Sequence, residues 1–189
     1  MIIWFNYFKA TRLTRKYPFD FYVQPAFTYI CRMIVSFWTI GKPHDAYVKQ
    51  GIEDFTRRIT NYFKVEWQII PPLKNTGNMP ETEVKKREAE LVLQALDKTD
   101  YLVLLDERGK QISSEALANF IQTRANESTR KLVFLIGGAF GVDAQISQRA
   151  NYQWSLSTLV FPHQLVRLIL AEQVYRACSI LRNEKYHHQ

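Results

Sequence analysis

Short apolar segments alternate with helix-like segments from residue 33 onward, and this alternation most narrows what the chain can fold into. YLVLL (101–105) and LVFLI (132–136) are compact apolar runs, typical of strands that are buried on both faces. MIVSFWTI (33–40) is a β-rich run, FKVEWQII (63–70) alternates as a half-buried strand does, and WSLSTLVF (154–161) is also strand-like. Because helices separate these strands, the sequence predicts an α/β fold with a mostly parallel sheet flanked by helices.

The segments between the strands have helical character. Residues 81–97 are rich in Glu, Lys, Leu and Ala, as an exposed helix is. Ser113 is expected to cap a helix that runs to about Glu127. A short helix is expected from about Asp143, and a long apolar helix over 162–182. The first helix is predicted from apolar residues at helical spacing, which are Val48, Ile52, Phe55, Ile59 and Tyr62.

The first 32 residues differ from the rest of the chain, because they are crowded with aromatic and basic residues and lack helix or strand periodicity. Five basic residues stand there against Asp20 alone, and the formal charge of +7 for the 189-residue chain points towards a polyanionic partner. A signal peptide does not fit, since its basic and apolar stretches would be reversed and Pro25 interrupts the later apolar run. Two interpretations remain, an arm that binds RNA and an extension that precedes a true start at Met33. We favour the second, and expect an atypical extension over 1–32 and one domain over 33–189.

The placement of cysteine and histidine argues against a metal site. Cys31 and Cys178 lie far apart without CxxC or Cys/His spacing, so neither a disulfide framework nor structural zinc is expected. A reducing, cytoplasmic compartment is the simpler interpretation. The tail NEKYHHQ (183–189) holds two histidines, but no further Cys/His/Asp cluster accompanies them, so we expect no metal. No run approaches the roughly 18–20 apolar residues that span a bilayer, so no membrane partner is expected.

The segment LVFLIGGAFG (132–141) places glycines directly after a buried strand. Glycine lets a ligand approach the backbone closely, and ligands of open α/β sheets bind at this carboxyl-terminal edge. The spacing is GGxxG, so neither the dinucleotide-binding GxGxxG nor the Walker motif is present, which argues against a nucleotide hydrolase. From the residues alone, an ordinary tight turn and a cofactor site are equally good interpretations. After the other buried strand, DERGK (106–110) is expected to turn the chain.

The helix predicted over 162–182 is apolar almost all round, so we expect it to be buried on most sides. Arg167 lies on its most apolar face and needs a partner there, because an uncompensated buried charge is strongly destabilising. An ion pair within the chain or between subunits, and a direct contact to RNA or cofactor, both remain open. Glu172 and Arg176 form an i,i+4 pair with a structural role. His163, where strand meets helix, is by default a hydrogen-bonded structural residue.

Five segments of the chain together resemble the ribosomal RNA large-subunit methyltransferase H family. They cover about residues 33–189, and their ordered combination is more specific than any single glycine motif. The family begins with a residue like Met33, so residues 1–32 depart from its pattern. The segments are IGKPHDAYVKQGIEDFTRRI, LVLLDERGKQISSEALA, LVFLIGGAFGV, WSLSTLVFPHQLVRLILAEQVYRA and NEKYHH.

The resemblance implies a SPOUT methyltransferase fold with a carboxyl-terminal trefoil knot, in a homodimer. It also implies transfer of a methyl group from S-adenosyl-L-methionine to N3 of a pseudouridine in 23S ribosomal RNA. The implied partner is large-subunit ribosomal RNA within the assembled ribosome. Carried over by position, the cofactor-binding residues are Leu105, Gly137, Leu156, Ser157, Thr158, Leu159, Val160 and Phe161.

Such a reaction needs an aligned methyl donor and acceptor and a way to remove the N3 proton. S-adenosyl-L-methionine carries its own leaving group, so no metal is required. Apolar residues suit its adenine, and backbone groups of the glycine turn suit its polar parts. A non-catalytic RNA-binding or ribosome-assembly protein on the same fold is the alternative function. The candidates for removing the proton or stabilising the anionic base are Asp106, His163, Arg167 and Tyr186, which the sequence does not rank.

Overall fold

The computed structural model describes residues 33–74 and 76–188. The prediction that residues 1–32 form an extension falls outside the described residues. Five parallel strands form one sheet in the order β2-β1-β4-β3-β5. The strands are β1 (Ile34–Ile40), β2 (Lys64–Ile70), β3 (Tyr101–Lys110), β4 (Lys131–Ile136) and β5 (Tyr152–Trp154). The prediction of an α/β fold with a parallel sheet is confirmed.

Helices connect the strands and cover both faces of the sheet. Two short 3-10 helices, Thr76–Asn78 and Lys185–His188, complete the described elements. Among the described residues, no helix is both long enough and apolar enough to cross a membrane. The five helices are α1 (Ala46–Ile59), α2 (Glu81–Ala95), α3 (Ser114–Asn126), α4 (Ala144–Arg149) and α5 (His163–Leu181).

The apolar residues divide into one core on each face of the sheet. Phe37 of β1 points to the face that α1, α3 and α5 cover, and the next residue, Trp38, points to the face of α2 and α4. Side chains of successive strand residues alternate in this way, so strands covered on both faces are apolar throughout. Helix α5 packs against both α1 and α3, and its sides are buried or half-buried except at His163. The prediction of a largely buried final helix is confirmed.

Side-chain caps begin two of the helices as predicted. The Oγ of Ser113 accepts a hydrogen bond from the backbone N–H of Ala116 at 3.2 Å, at the start of α3. The carboxylate of Asp143 accepts one from Gln145 at 2.9 Å, at the start of α4. Each cap satisfies one of the backbone donors that a helix leaves free in its first turn.

Two predictions about the strands are wrong. Residues 106–110 do not turn the chain but extend β3, which passes an irregularity after Leu105 and pairs again with Trp154 through Lys110. The strand predicted over 154–161 is replaced by β5, which ends at Trp154, and by a loop. In that loop serine side chains bond to nearby backbone and so compete with strand pairing. The Oγ of Ser155 donates to the carbonyl of Ser157, whose Oγ accepts from the N–H of Leu159, both at 2.9 Å.

Candidate active site

A cleft of about 580 Å³ opens where β3, β4 and β5 end. Its walls come from the second half of β3, from the glycine turn over 137–141 and from the loop that leads into α5. Because all the strands are parallel, their carboxyl ends meet at one edge of the sheet, which is where open α/β sheets bind ligands. The cleft therefore lies at the position that the glycine turn indicates.

Most of the residues expected to bind the cofactor line this cleft. Among the described residues, only Thr158 of the expected eight is absent from its walls. Leu159 and Val160 form an exposed rim, with 69% and 82% of their surfaces accessible. The others lie deeper, at the ends of the strands and in the loop before α5. The lining residues from the expected set are Leu105, Gly137, Leu156, Ser157, Leu159, Val160 and Phe161.

Asp106 lines the cleft as an anion held by a neighbouring arginine. Arg108 donates to it from Nε and from Nη2, each at 2.9 Å. These hydrogen bonds lower the pKa of the Asp106 carboxyl below its ordinary value. A carboxylate with a lowered pKa is a weaker proton acceptor, so this arrangement disfavours Asp106 as a general base.

His163 is the first residue of α5 and also lines the cleft. Packing around the imidazole lowers its pKa, although the residue as a whole remains exposed, and the charge of Arg167 lowers the pKa further. The ring is therefore neutral near pH 7, where an unperturbed histidine is already mostly neutral. A neutral imidazole in a cleft is able to accept a proton.

Arg167 does not line the cleft, although it lies one helical turn after His163. It is 2% exposed, and its Nη1 donates to the carbonyl of Lys42 at 2.9 Å, in the loop between β1 and α1. The same nitrogen lies 3.4 Å from Nδ1 of His44, while Nε has no hydrogen-bond partner among the described residues. Within residues 33–74 and 76–188 no carboxylate forms an ion pair with it. Among the described residues, a backbone carbonyl therefore takes the place of the ion pair within the chain that was one of the alternatives for Arg167.

Tyr186 also lies outside the cleft of its own chain. Its hydroxyl donates to Oε1 of Glu172 at 3.1 Å, and its ring lies 4.8 Å from that of Tyr175, centroid to centroid. Arg176 joins the same group through the predicted i,i+4 pair, with 2.7 Å between its Nη2 and Oε1 of Glu172. The described part of the tail thus packs on α5.

Glu88 is a charged residue of this region that the sequence interpretation missed. It lies in α2, is 7% exposed, and its Oε2 has no hydrogen-bond partner among the described residues. Burial raises the pKa of its carboxyl. A Cβ atom added to Gly138 would lie 2.4 Å from this Oε2, so the carboxylate lies directly against the glycine turn. The spacing of Glu88 from Val84 and Val92, four residues each way on a buried face, is the signal that was available.

Metal ligands do not cluster in the described part of the chain. No group of three or more His, Cys, Asp or Glu side chains there is arranged to hold a metal ion. The cleft instead combines an apolar wall, a glycine turn, a neutral imidazole and the carboxylate of Asp106, and the buried carboxylate of Glu88 lies behind the glycine turn without lining the cleft. This set of groups suits binding of a polar organic ligand and proton transfer.

Comparison with known proteins places these features in a family. The model for the family described as "Predicted SPOUT methyltransferase" matches residues 33–187. A "Ribosomal RNA large subunit methyltransferase H" from Christiangramia forsetii is 43% identical over 157 residues, which are 83% of this chain and 100% of that protein. The proteins of that name from Cytophaga hutchinsonii and Flavobacterium johnsoniae are 42% and 43% identical, with 82% and 83% of this chain and 100% of each protein covered. The chain therefore belongs to the SPOUT methyltransferase family, among relatives that carry the name ribosomal RNA large subunit methyltransferase H.

Proposed function

We propose that this methyltransferase transfers a methyl group from S-adenosyl-L-methionine to N3 of a pseudouridine in 23S ribosomal RNA of the large ribosomal subunit. The observation that carries the proposal is the match of 100% of several relatives named for large-subunit ribosomal RNA methylation. The match of the family model to residues 33–187 spans every segment that builds the cleft. The names of the relatives support ribosomal RNA methylation rather than the non-catalytic alternative.

The residues of the cleft fit S-adenosyl-L-methionine, which supplies an activated methyl group on a sulfonium leaving group. The volume of about 580 Å³ lies in the range of sites for small organic ligands. Leu105 and Leu156 offer an apolar wall to the adenine ring, and both pack against the core under α5. The glycine turn offers backbone groups without side chains in the way. Behind the turn, Oε2 of Glu88 is a buried acceptor that has no hydrogen-bond donor among the described residues.

His163 is the best placed acceptor for the N3 proton among the four candidates. Its imidazole lines the cleft and is neutral near pH 7, whereas Asp106 is held as an anion by Arg108. The imidazole would take the N3 proton, and bound S-adenosyl-L-methionine would supply the methyl group that replaces that proton on N3. Arg167 acts through His163, whose pKa it lowers, and so is a positioning residue.

Cations at the cleft suit the phosphates of an RNA loop. Lys85 and Arg108 both line the cleft, and the side chain of Arg108 is 75% exposed. Such groups favour a polyanion without reading its sequence. We infer that the substrate is the RNA of the assembled ribosome, that the enzyme acts as a homodimer in the cytoplasm, and that the carboxyl-terminal segment forms the trefoil knot.

The test is methylation of whole ribosomes and of naked ribosomal RNA, with the modified base mapped by mass spectrometry. We expect one methyl group on N3 of one 23S pseudouridine, and faster reaction with the ribosomes. Binding of S-adenosyl-L-methionine without methylation of either substrate would contradict the proposal in favour of the non-catalytic alternative. A methyl group on another base or in another RNA would contradict the proposed substrate.

A further inference from the structure

The carboxylate of Glu88 is buried, and no cation of the described residues balances it. The neighbouring Arg87 turns instead to Glu83, with 2.7 Å between Nε and Oε1. Among the described residues no ion pair involves Glu88, and burial alone raises its pKa. Buried charged groups in proteins are normally paired or hydrogen-bonded, because the loss of hydration is costly. A carboxylate left in this state at the edge of a cleft is a candidate ligand group.

The glycine turn packs directly against this carboxylate. Gly138 has no positive φ, so its backbone conformation does not require glycine. Glycine is required because a side chain at this position would have no room. An ideal Cβ at this position would lie 2.4 Å from Oε2 and 3.1 Å from Oε1 of Glu88. Gly138 itself lines the cleft, and so does Lys85, one helical turn before Glu88. Glu88 does not line the cleft itself, but its carboxylate lies directly against Gly138, which does, so it is a buried acidic group next to the ligand space.

The apolar wall and the carboxylate lie towards different faces of the sheet. Leu105 and Leu156 pack against the core that α5 covers, whereas Glu88 belongs to α2 on the opposite face. The two halves of S-adenosyl-L-methionine match these two parts of the site. The neutral adenosine half suits the apolar wall, and the methionine half carries an ammonium group that suits the carboxylate. Ribose hydroxyls and the adenine amino group can donate hydrogen bonds to a carboxylate, but only the ammonium group also brings a positive charge.

We propose that Glu88 is a specificity-determining residue of the cofactor site, where its carboxylate accepts a hydrogen bond from the α-ammonium group of bound S-adenosyl-L-methionine. The inference rests on the proposed function for the identity of the methyl donor. A hydrogen bond between these two charged groups compensates the buried carboxylate more fully than a hydrogen bond from an uncharged donor. The bound ligand is thus selected by its amino-acid half as well as by its adenine.

Calorimetry with three ligands tests the assignment on the Glu88→Gln protein. S-adenosyl-L-methionine and S-adenosylhomocysteine both carry the ammonium group, whereas 5′-methylthioadenosine lacks the whole amino-acid half. We expect the substitution to weaken the first two by about 10-fold or more, and 5′-methylthioadenosine by less than about 2-fold. Glu90→Gln is the matched control, because Glu90 is exposed on the same helix and should leave all three affinities unchanged.

The pattern of losses separates the proposal from its rivals. Equal weakening of all three ligands would mean that Glu88 only shapes the turn, and a loss confined to S-adenosyl-L-methionine would mean that it faces the sulfonium. Either result, or no loss at all, would overturn the assignment. A wild-type protein that binds none of the three ligands would instead refute the proposed function.

The wild-type protein offers a second measurement that requires no folded variant. An analogue of S-adenosylhomocysteine that lacks only the amino nitrogen should bind it about 10-fold more weakly than S-adenosylhomocysteine does. Equal affinity for the two ligands would overturn the proposal even if Glu88→Gln failed to fold.

Discussion

Arg167 follows His163 by one turn of α5, and its buried guanidinium adds to the effect of burial in lowering the pKa of the His163 imidazole. The two residues face different surroundings. His163 lines the cleft, whereas Arg167 donates to the carbonyl of Lys42 in the loop after β1. The arginine therefore links that loop to α5 and at the same time keeps the histidine of the cleft neutral.

The first prediction concerns the pH dependence of methyl transfer. Because the pKa of His163 lies below its ordinary value of 6.5, a reaction that needs the neutral ring should rise with pH to a midpoint below 6.5. The rate should then be flat between pH 7 and 8. His163→Ala should lower the turnover rate by about 10²–10⁴-fold, while calorimetry shows nearly unchanged cofactor affinity. A variant that keeps full turnover would exclude the histidine as the base.

The second prediction concerns the two histidines beside Arg167. The pKa of His44 is lowered by burial first and by Arg167 second, as is that of His163. Arg167→Leu removes the nearby cation, so both pKa values should rise in an NMR titration. Arg176→Leu is the matched control on the same helix, since Arg176 pairs with Glu172 and should leave both titrations in place.

The same Arg167→Leu protein tests the proposed action of the arginine through His163 against a contact with RNA and an ion pair across a subunit interface. Loss of methylation with retained cofactor binding would support its action through His163 or on RNA. If the arginine instead pairs across a subunit interface, sedimentation should show altered dimer stability. Unchanged titrations of both histidines would contradict the link between Arg167 and the cleft.

The third prediction concerns stability, and it follows from the raised pKa of Glu88. The folded protein holds this proton more tightly than the unfolded chain, so the resulting stability is present below the unfolded pKa and lost as pH rises through the folded pKa. At pH 7.5 Glu88→Gln should therefore unfold with a free energy about 1 kcal/mol higher than the wild type.

Chemical denaturation at two pH values checks the sign of this effect. The difference between Glu88→Gln and the wild type should shrink towards pH 4, near the unfolded pKa of about 4.3 for a glutamate. Glu90→Gln should match the wild type at both pH values, because that side chain is exposed. A variant less stable than the wild type at pH 7.5 would mean that the carboxylate has a partner in the free protein.

The strand segments at 101–105 and 132–136 were predictable from their own residues alone. The runs at 101–105 and 132–136 are apolar because both of their faces are covered, and such a pattern is visible without knowing the neighbours. The ends of β3 and β5 were predicted wrongly because pairing across the sheet decides them. Lys110 is in a strand since it pairs with Trp154, and that contact joins residues 44 positions apart.

Part of the candidate site was also predictable, where a residue's place follows from the strand it ends and not from distant contacts. Residues at the ends of apolar strands, such as Leu105 and Gly137, must lie at the carboxyl edge of a parallel sheet. Glu88 was not predictable as a site residue, because its position depends on contact with Gly138, 50 residues further along. The carbonyl partner of Arg167 was hidden as well, since backbone acceptors leave no mark in the sequence.

The fourth prediction concerns the start of the chain. The family model matches from residue 33, and Met33 is a core residue, 1% exposed. A protein that begins at Met33 should therefore equal the full chain in thermal unfolding and in methylation of ribosomes. A large loss of ribosome affinity in the shorter protein would favour an RNA-binding arm over 1–32.

The fifth prediction concerns an active site shared between two subunits. Tyr186 packs on Glu172 and Tyr175 and stays outside the cleft of its own chain, while Leu159 and Val160 leave an exposed apolar rim on that cleft. A second subunit that covers the rim would bring its own tail towards the cleft. We therefore expect a dimer in sedimentation at micromolar concentration.

Mixing two inactive variants tests whether the site is shared. If one subunit supplies His163 and the other Tyr186, a dimer of one His163→Ala chain and one Tyr186→Ala chain keeps one of its two sites intact. After unfolding and refolding together, an equal mixture should recover about a quarter of the wild-type activity, because half of the random dimers are mixed. If both residues serve the cleft of their own chain, the mixture should stay inactive. A wild-type protein that is monomeric at micromolar concentration and fully active would also contradict a shared site.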